Sequence, residues 1–248
     1  MKDNKNLIVG HLGKMDYGKA WDFQSELFKE NVDIKLKNRQ LELDGQAATK
    51  STKNYFFLCE HPHVYTLGKS GNMENLLINN ATLKEKNIAF YKSNRGGDIT
   101  YHGPGQVVGY PILDLDNFST DIHVYMRNLE EVIILTLREY GIYAGRIPKL
   151  TGVWLDFEKM QNPRKICAMG VKMSRWVTMH GFALNVNTDL EYFNNIVPCG
   201  IEGKAVTSIQ AELGKEVAIK EVEKKLIKHF IDIFEIENFE FQNSGQLN

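Results

Sequence analysis

Cys199 stands between Pro198 and Gly200, a setting that holds a thiol on a fixed corner. Cys59 and Cys167 lie inside the apolar runs Tyr55–Cys59 and Ile166–Met173, where a cysteine behaves as a small buried hydrophobe. If one thiol of this chain reacts, it is Cys199, and its chemistry is nucleophilic catalysis. Lys165, in Arg164-Lys165-Ile166-Cys167-Ala168-Met169-Gly170, is a cation entering an apolar run. A lysine so placed is either a solvated strand end or a charge partner for chemistry.

The stretch Arg95 to Gly109, Arg-Gly-Gly-Asp-Ile-Thr-Tyr-His-Gly-Pro-Gly-Gln-Val-Val-Gly, carries five glycines, a proline, an arginine and a histidine. Gly96-Gly97 and Gly103-Pro104-Gly105 read as two tight backbone features whose amides can face a substrate oxygen. Arg95 and His102 flank that cradle with a fixed charge and a titratable ring. A simple pair of turns would need none of the polar side chains between them. Two histidines, His61 and His63, sit beside Glu60 and Cys59. A period-two strand would aim both the same way, but Pro62 disturbs it, and the expectation is no metal. Gly68-Lys69-Ser70 resembles the end of a phosphate loop, yet residue 63 would have to be glycine.

These residues need elements to hold them. Asp16 caps a helix expected to run to about Glu30, with Tyr17, Ala20, Trp21, Gln24, Leu27 and Phe28 on one face. Residues 31–54 are polar and patternless and read as a loose connection or short hairpin around Asp44-Gly45. Apolar runs Tyr55–Cys59, Ile88–Tyr91, Val107–Leu113, Gly152–Phe157, Ile166–Met173 and Gly181–Val186 read as strands. Asp121 starts a helix with Ile122, Tyr125, Leu129, Val132, Ile133, Thr136 and Tyr140 on its inner stripe and Gly141 as its stop. A last helix is expected over about Lys215 to Phe234, and Gln242–Asn248 is a polar tail.

With 43% hydrophobic and 25% charged residues the composition is that of an ordinary globular protein, and helices among strand-like runs, with no repeat or linker, read as one α+β domain over residues 1–248. Thirty basic against thirty-one acidic residues give a net charge of −1, so no global field favours nucleic acid or anionic membrane. An acidic partner would have to dock on a local patch. No run approaches membrane-spanning length, and three widely spaced cysteines suit a reducing cytoplasm.

The run Arg95 to Gln106 resembles the signature loop of the lipoyl (octanoyl) transferase family. Glu60-His61-Pro62-His63-Val64-Tyr65-Thr66-Leu67-Gly68 resembles a second motif of that family, with His63 in place of its usual second proline. Lys165-Ile166 with Ala168 and Gly170, Trp176 to Leu190, and Pro198-Cys199-Gly200 resemble its later motifs in the same order, so that about residues 15–213 are family-like. The resemblance implies a fold of the biotin/lipoate protein ligase catalytic type, with mixed sheets flanked by helices. It implies transfer of an octanoyl group from octanoyl-acyl carrier protein to the lysine of lipoyl domains, those of 2-oxoacid dehydrogenase E2 subunits and the glycine cleavage H protein. Cys199 would carry the acyl group as a thioester and Lys165 would lower its pKa, with no cofactor. Arg95, Gly96, Gly97, Asp98, Ile99, Thr100, Tyr101 and His102, together with Ala168, Met169, Gly170, Gly181, Phe182 and Ala183, would line the acyl pocket. His102 and His180 would orient neighbours, shuttle protons or simply hydrogen-bond.

The physics fits that division of labour. A thiol with pKa about 8.5 is mostly protonated at neutral pH, and an ammonium about 4 Å away at an effective dielectric of about 20 favours the thiolate by up to about 4 kcal/mol before desolvation. An ATP-dependent lipoate or biotin ligase would also use Gly-Gly and a lysine but needs no cysteine. A papain-like hydrolase would need a histidine set that only His229 begins to supply downstream. An acyl-carrier binding module would not require Lys165 and Cys199 together.

Overall fold

The structure is a computed structural model that describes residues 4–158, 162–197 and 205–242. In chain order the elements are β1 (Asn6–Lys14), α1 (Tyr17–Leu43), β2 (Asn54–Glu60), β3 (Val64–Leu67), α2 (Asn80–Glu85), β4 (Ala89–Lys92), β5 (Ile99–His102) and β6 (Gln106–Ile112). They continue with α3 (Ile122–Arg138), β7 (Gly145–Ile147), β8 (Leu150–Leu155), β9 (Arg164–Ser174), β10 (Val177–Asn185), β11 (Ala205–Val206), α4 (Ile209–Leu213), α5 (Ile219–Ile233) and β12 (Asn238–Gln242).

One mixed sheet takes the order β12-β1-β2-β6-β10-β9-β8-β7, with β11 added alongside β9, and a second sheet pairs β4-β3-β5. Period-two alternation divides the large sheet between two cores. From β10, Phe182 and Leu184 join the layer under α3 and α5 with Leu129, Ile133, Leu226 and Phe230. Met179 and Ala183 point the other way, under α1 with Ala20, Phe28, Phe57 and Val108. The small sheet has its own core of Tyr65, Leu67, Ile99, Tyr101, Phe193 and Ile196.

The α3 helix is built as its sequence dictates, with the Asp121 carboxylate accepting from the amides of His123 and Val124. The α1 helix is longer than its apolar stripe. It continues to Leu43, so residues 31–43 are helical and not a loose connection. Tertiary contacts hold the polar half: Asn31 exchanges hydrogen bonds with the Lys53 backbone, and Lys35 reaches Asp114 and Asp116. Two parallel strands were also hidden in the sequence. β1 pairs in parallel with both β2 and β12, although its residues supply only a short aliphatic run. The residues beyond Gln242 lie outside those described.

Candidate active site

The β8 strand pairs with β9 only as far as Cys167, opposite Val153. From Ala168 onward the same edge of β9 has no strand partner among the described residues, and a cavity of about 510 Å³ opens there, within the usual size of a small-molecule site. The Arg95–Gly97 loop closes over this edge, its Gly96 amide donating to the Val171 carbonyl at 2.9 Å.

Glycine is required on both sides of that loop. A Cβ on Gly68 would stand 2.2 Å from the Gly97 carbonyl oxygen, and one on Gly170 would stand 2.7 Å from that of Gly96. Gly97 itself has φ +85, a conformation side chains rarely adopt. The amides of Lys69 and Ser70 donate hydrogen bonds to the carbonyls of Arg95 and Gly97. Arg95 is 8% exposed as a residue; its Nη2 donates to the Thr66 carbonyl (2.6 Å) and hydroxyl (2.9 Å), and its Nη1 to the Gly96 carbonyl (3.0 Å). Asp98 accepts from the Ile99 amide and from the Asn75 side chain at 2.5 Å, and the Asn75 carbonyl accepts from the Val197 amide at 2.8 Å. The loop is thereby tied to the residue that precedes Pro198-Cys199.

Behind the loop the polar side chains form a directed chain. The Gln106 side-chain amide donates to the Tyr101 carbonyl and to Asn185 Oδ1, so its Oε1 is the acceptor facing His102 Nδ1 at 2.8 Å. His102 therefore carries its proton on Nδ1 and presents the Nε2 lone pair to the Thr66 hydroxyl at 3.5 Å. The Thr66 hydroxyl in turn accepts from Arg95. Asn185 passes the chain on to the Thr207 carbonyl at 2.9 Å. Burial first, then His61 and Arg95, hold the His102 pKa well below its ordinary value. Burial, then Arg95, lowers His180 to about 3, and burial lowers His61 to about 4. These rings are neutral at physiological pH.

Lys165 sits on β9 with its ammonium 4.5 Å above the Trp154 ring, a cation–π contact. The β11 strand runs parallel to it, Val206 opposite Lys165, and the Thr207 amide donates to the Lys165 carbonyl. Gly152, with φ +116, passes close below: a Cβ there would meet the Cys167 carbonyl at 2.6 Å and Lys165 Cε at 3.6 Å. The Gly152 amide is held by buried Glu130, which also pairs with Arg127 and Arg146. Cys199 lies outside the described residues. Cys59 and Cys167 are buried, and burial pushes the Cys59 thiol up to about 12 and raises that of Cys167 as well.

Lys165, Arg95 to Thr100, His102, Ala168 to Gly170 and Gly181 to Ala183 all line the one cavity. Tyr101 does not. Adjacent residues of a strand face opposite ways, and the Tyr101 ring is packed with Tyr65, Tyr192 and Phe193 while its hydroxyl meets His63 Nδ1 at 2.7 Å. His61 and His63 turn to different partners: His61 donates to the Met15 carbonyl and accepts from the Tyr110 hydroxyl. Sequence reasoning missed Tyr17, Val108, Tyr110 and Trp154 in the cavity wall. Tyr17 reads as part of a core stripe, and only the fold stacks it on His102, 5.9 Å between ring centres, with its hydroxyl donating to Ser93.

Residues 16–231 match the lipoyl protein ligase A/B catalytic domain family. The chain is 62% identical over 237 residues to an octanoyltransferase of Christiangramia forsetii, covering 94% of this chain and 98% of that one. It is 61% identical to an octanoyltransferase of Flavobacterium johnsoniae, covering 94% and 99%. Among solved structures it is similar to a bipartite lipoate protein ligase from Thermoplasma acidophilum, with TM-score 0.66 at 18% identity, covering 100% of this chain and 91% of that one. It is equally similar to a lipoate-protein ligase A bound with ATP, with TM-score 0.66 at 18% identity, covering 100% and 92%. At that identity the likeness is one of fold.

Proposed function

The chain belongs to the lipoyl protein ligase A/B catalytic domain family, alongside its octanoyltransferases, and from that premise we propose that it moves an octanoyl group from octanoyl-acyl carrier protein to the lysine of lipoyl domains through a Cys199 thioester. The acceptors in this reading are the lipoyl domains of 2-oxoacid dehydrogenase E2 subunits and the glycine cleavage H protein, and the reaction takes place in the cytoplasm. No helix among the described residues is long and apolar enough to cross a membrane.

The observation that carries the reading is the meeting of Lys165 and the Arg95–Gly97 cradle at one cavity, with the chain returning beside Lys165 at Val206, just after the Cys199 segment. The Cys199 thiolate, favoured by the Lys165 ammonium, attacks the carrier-bound thioester carbonyl. The new S–C bond forms as the carrier's S–C bond breaks and its thiolate leaves, so one thioester replaces another without ATP. Lys165 gives its proton to the departing carrier thiolate and is left neutral; the acceptor amine then attacks acyl-Cys199, C–N forms and C–S breaks, and neutral Lys165 takes the proton the amine must lose, restoring the thiolate–ammonium pair. Backbone amides of the glycine-bearing segments stabilise each tetrahedral oxyanion. His102 is not a base in this scheme, because both ring nitrogens are engaged in the chain from Thr66 to Gln106.

A local cationic patch suits an acidic carrier. Lys69 and Lys172 flank the loop, near enough that burial and then Lys69 lower the Lys172 pKa. Intact mass after incubation with octanoyl carrier protein tests the reading. An octanoyl adduct on Cys199 without ATP is expected; an adduct on Cys167, or one requiring ATP, overturns it in favour of other chemistry.

A further inference from the structure

Under the cavity β9 and β10 meet in two rungs almost bare of side chains. Ala183 of β10 is opposite Ala168 of β9, and Gly181 is opposite Gly170. Continued across β10, the first rung ends on β6 at Val108, the register partner of Ala183. All five residues line the cavity. On this face the strip is a trough roofed by the Arg95–Gly97 loop, since Gly170 points at the Gly96 carbonyl. Val108 is the branched side chain at the β6 end of the first rung. It is 2% exposed and is backed by Cys59, its register partner on β2, which is 1% exposed. A close-packed wall of this kind does not give way to an extra methylene.

We propose that Val108 is the stop that sets acyl chain length. The inference rests on the octanoyl-transfer reading and adds the residue that decides which acyl group is accepted. A straight alkyl chain lies along the Ala and Gly rungs, whose own side chains are no larger than a methyl, and its terminal methyl abuts Val108. Branched valine ends the slot where a smaller residue would extend it.

Transfer rates are measured for hexanoyl, octanoyl and decanoyl carrier protein in the wild type, Val108→Ala and Val108→Leu, with thermal melts to confirm folding. Val108→Ala is expected to raise the decanoyl-to-octanoyl ratio of kcat/KM about fourfold or more, the factor that burying one methylene commands. Val108→Leu is expected to shift preference toward hexanoyl by a similar factor. A general loosening of structure would lower all three rates together and leave the ratios unchanged. A folded Val108→Ala with the wild-type ratios overturns the proposal even where Val108→Leu fails to fold. Octanoyl transfer by the wild type then leaves the functional reading standing, whereas a wild type that transfers none of the three overturns that reading and this inference with it.

Discussion

Gly170 lies directly beneath Gly96: a Cβ on Gly170 would come within 2.7 Å of the Gly96 carbonyl oxygen, while the Gly96 amide is bonded to the next residue of the strand, Val171. Nothing but hydrogen fits between loop and strand. Gly170→Ala should therefore push the Arg95–Gly97 loop off the β9 edge, at a cost of about 1–3 kcal/mol of overpacking strain. Activity should fall further than the shift in thermal midpoint explains, and Gly97→Val, at φ +85, should do the same. Unchanged turnover in folded variants would show that the loop does not shape the substrate site.

Arg95→Lys tests the guanidinium. One ammonium cannot span the Thr66 carbonyl, the Thr66 hydroxyl and the Gly96 carbonyl as the planar fork does. The expected outcome is a loss of kcat/KM of tenfold or more in steady-state transfer assays, with charge conserved.

Cysteine labelling should separate the three thiols. Cys59, pushed up to about 12, and buried Cys167 should react only on unfolding. One fast alkylation is expected, absent in Cys199→Ser. Lys165→Met should slow it at neutral pH, with the difference shrinking above about pH 8.5 as the thiol ionises unaided. Equal rates at every pH would make Lys165 a strand-end lysine only.

Acid stability should carry the mark of the neutral histidines. His180 in the folded state titrates at about 3 and His61 at about 4, below the unfolded value of about 6.5, so the unfolded chain binds more protons between those limits. Their stabilising contribution is present above about pH 6.5 and is lost as pH falls toward 4 and 3. Urea midpoints should decline over that window. His180→Asn, which tolerates the φ of +60 at this position, should flatten the decline.

Lys69→Glu should raise KM for carrier-bound donor while leaving transfer from a free acyl thioester little changed, and the difference should shrink with salt. A Glu130→Ala variant probes the other side of the site. Its arginine partners reach solvent, whereas the Gly152 amide cannot, so the expected loss in urea denaturation is about 1–3 kcal/mol for one stranded donor.

Local pattern determined much of this protein. Capping and period placed α3, period alone placed α5, apolar runs placed β2, β6 and β8 to β10, and the candidate pocket residues from Arg95 to Ala183 converge, Tyr101 excepted, on one cavity. These features are written in neighbouring residues, whose spacing decides which face is buried. What only the tertiary structure decided are matters of pairing between distant segments. The polar half of α1 is held by Asp114 and the Lys53 backbone, and β1 and β12 exist as strands because they lie beside β2 and each other. Tyr101 turns away from the cavity because register gives alternate residues to opposite faces, and Tyr17 and Val108 enter it because α1 and β6 are packed there. The bond from His102 to Thr66 spans 36 residues and that from Gln106 to Asn185 spans 79, and no local pattern encodes a contact whose partner lies in another element.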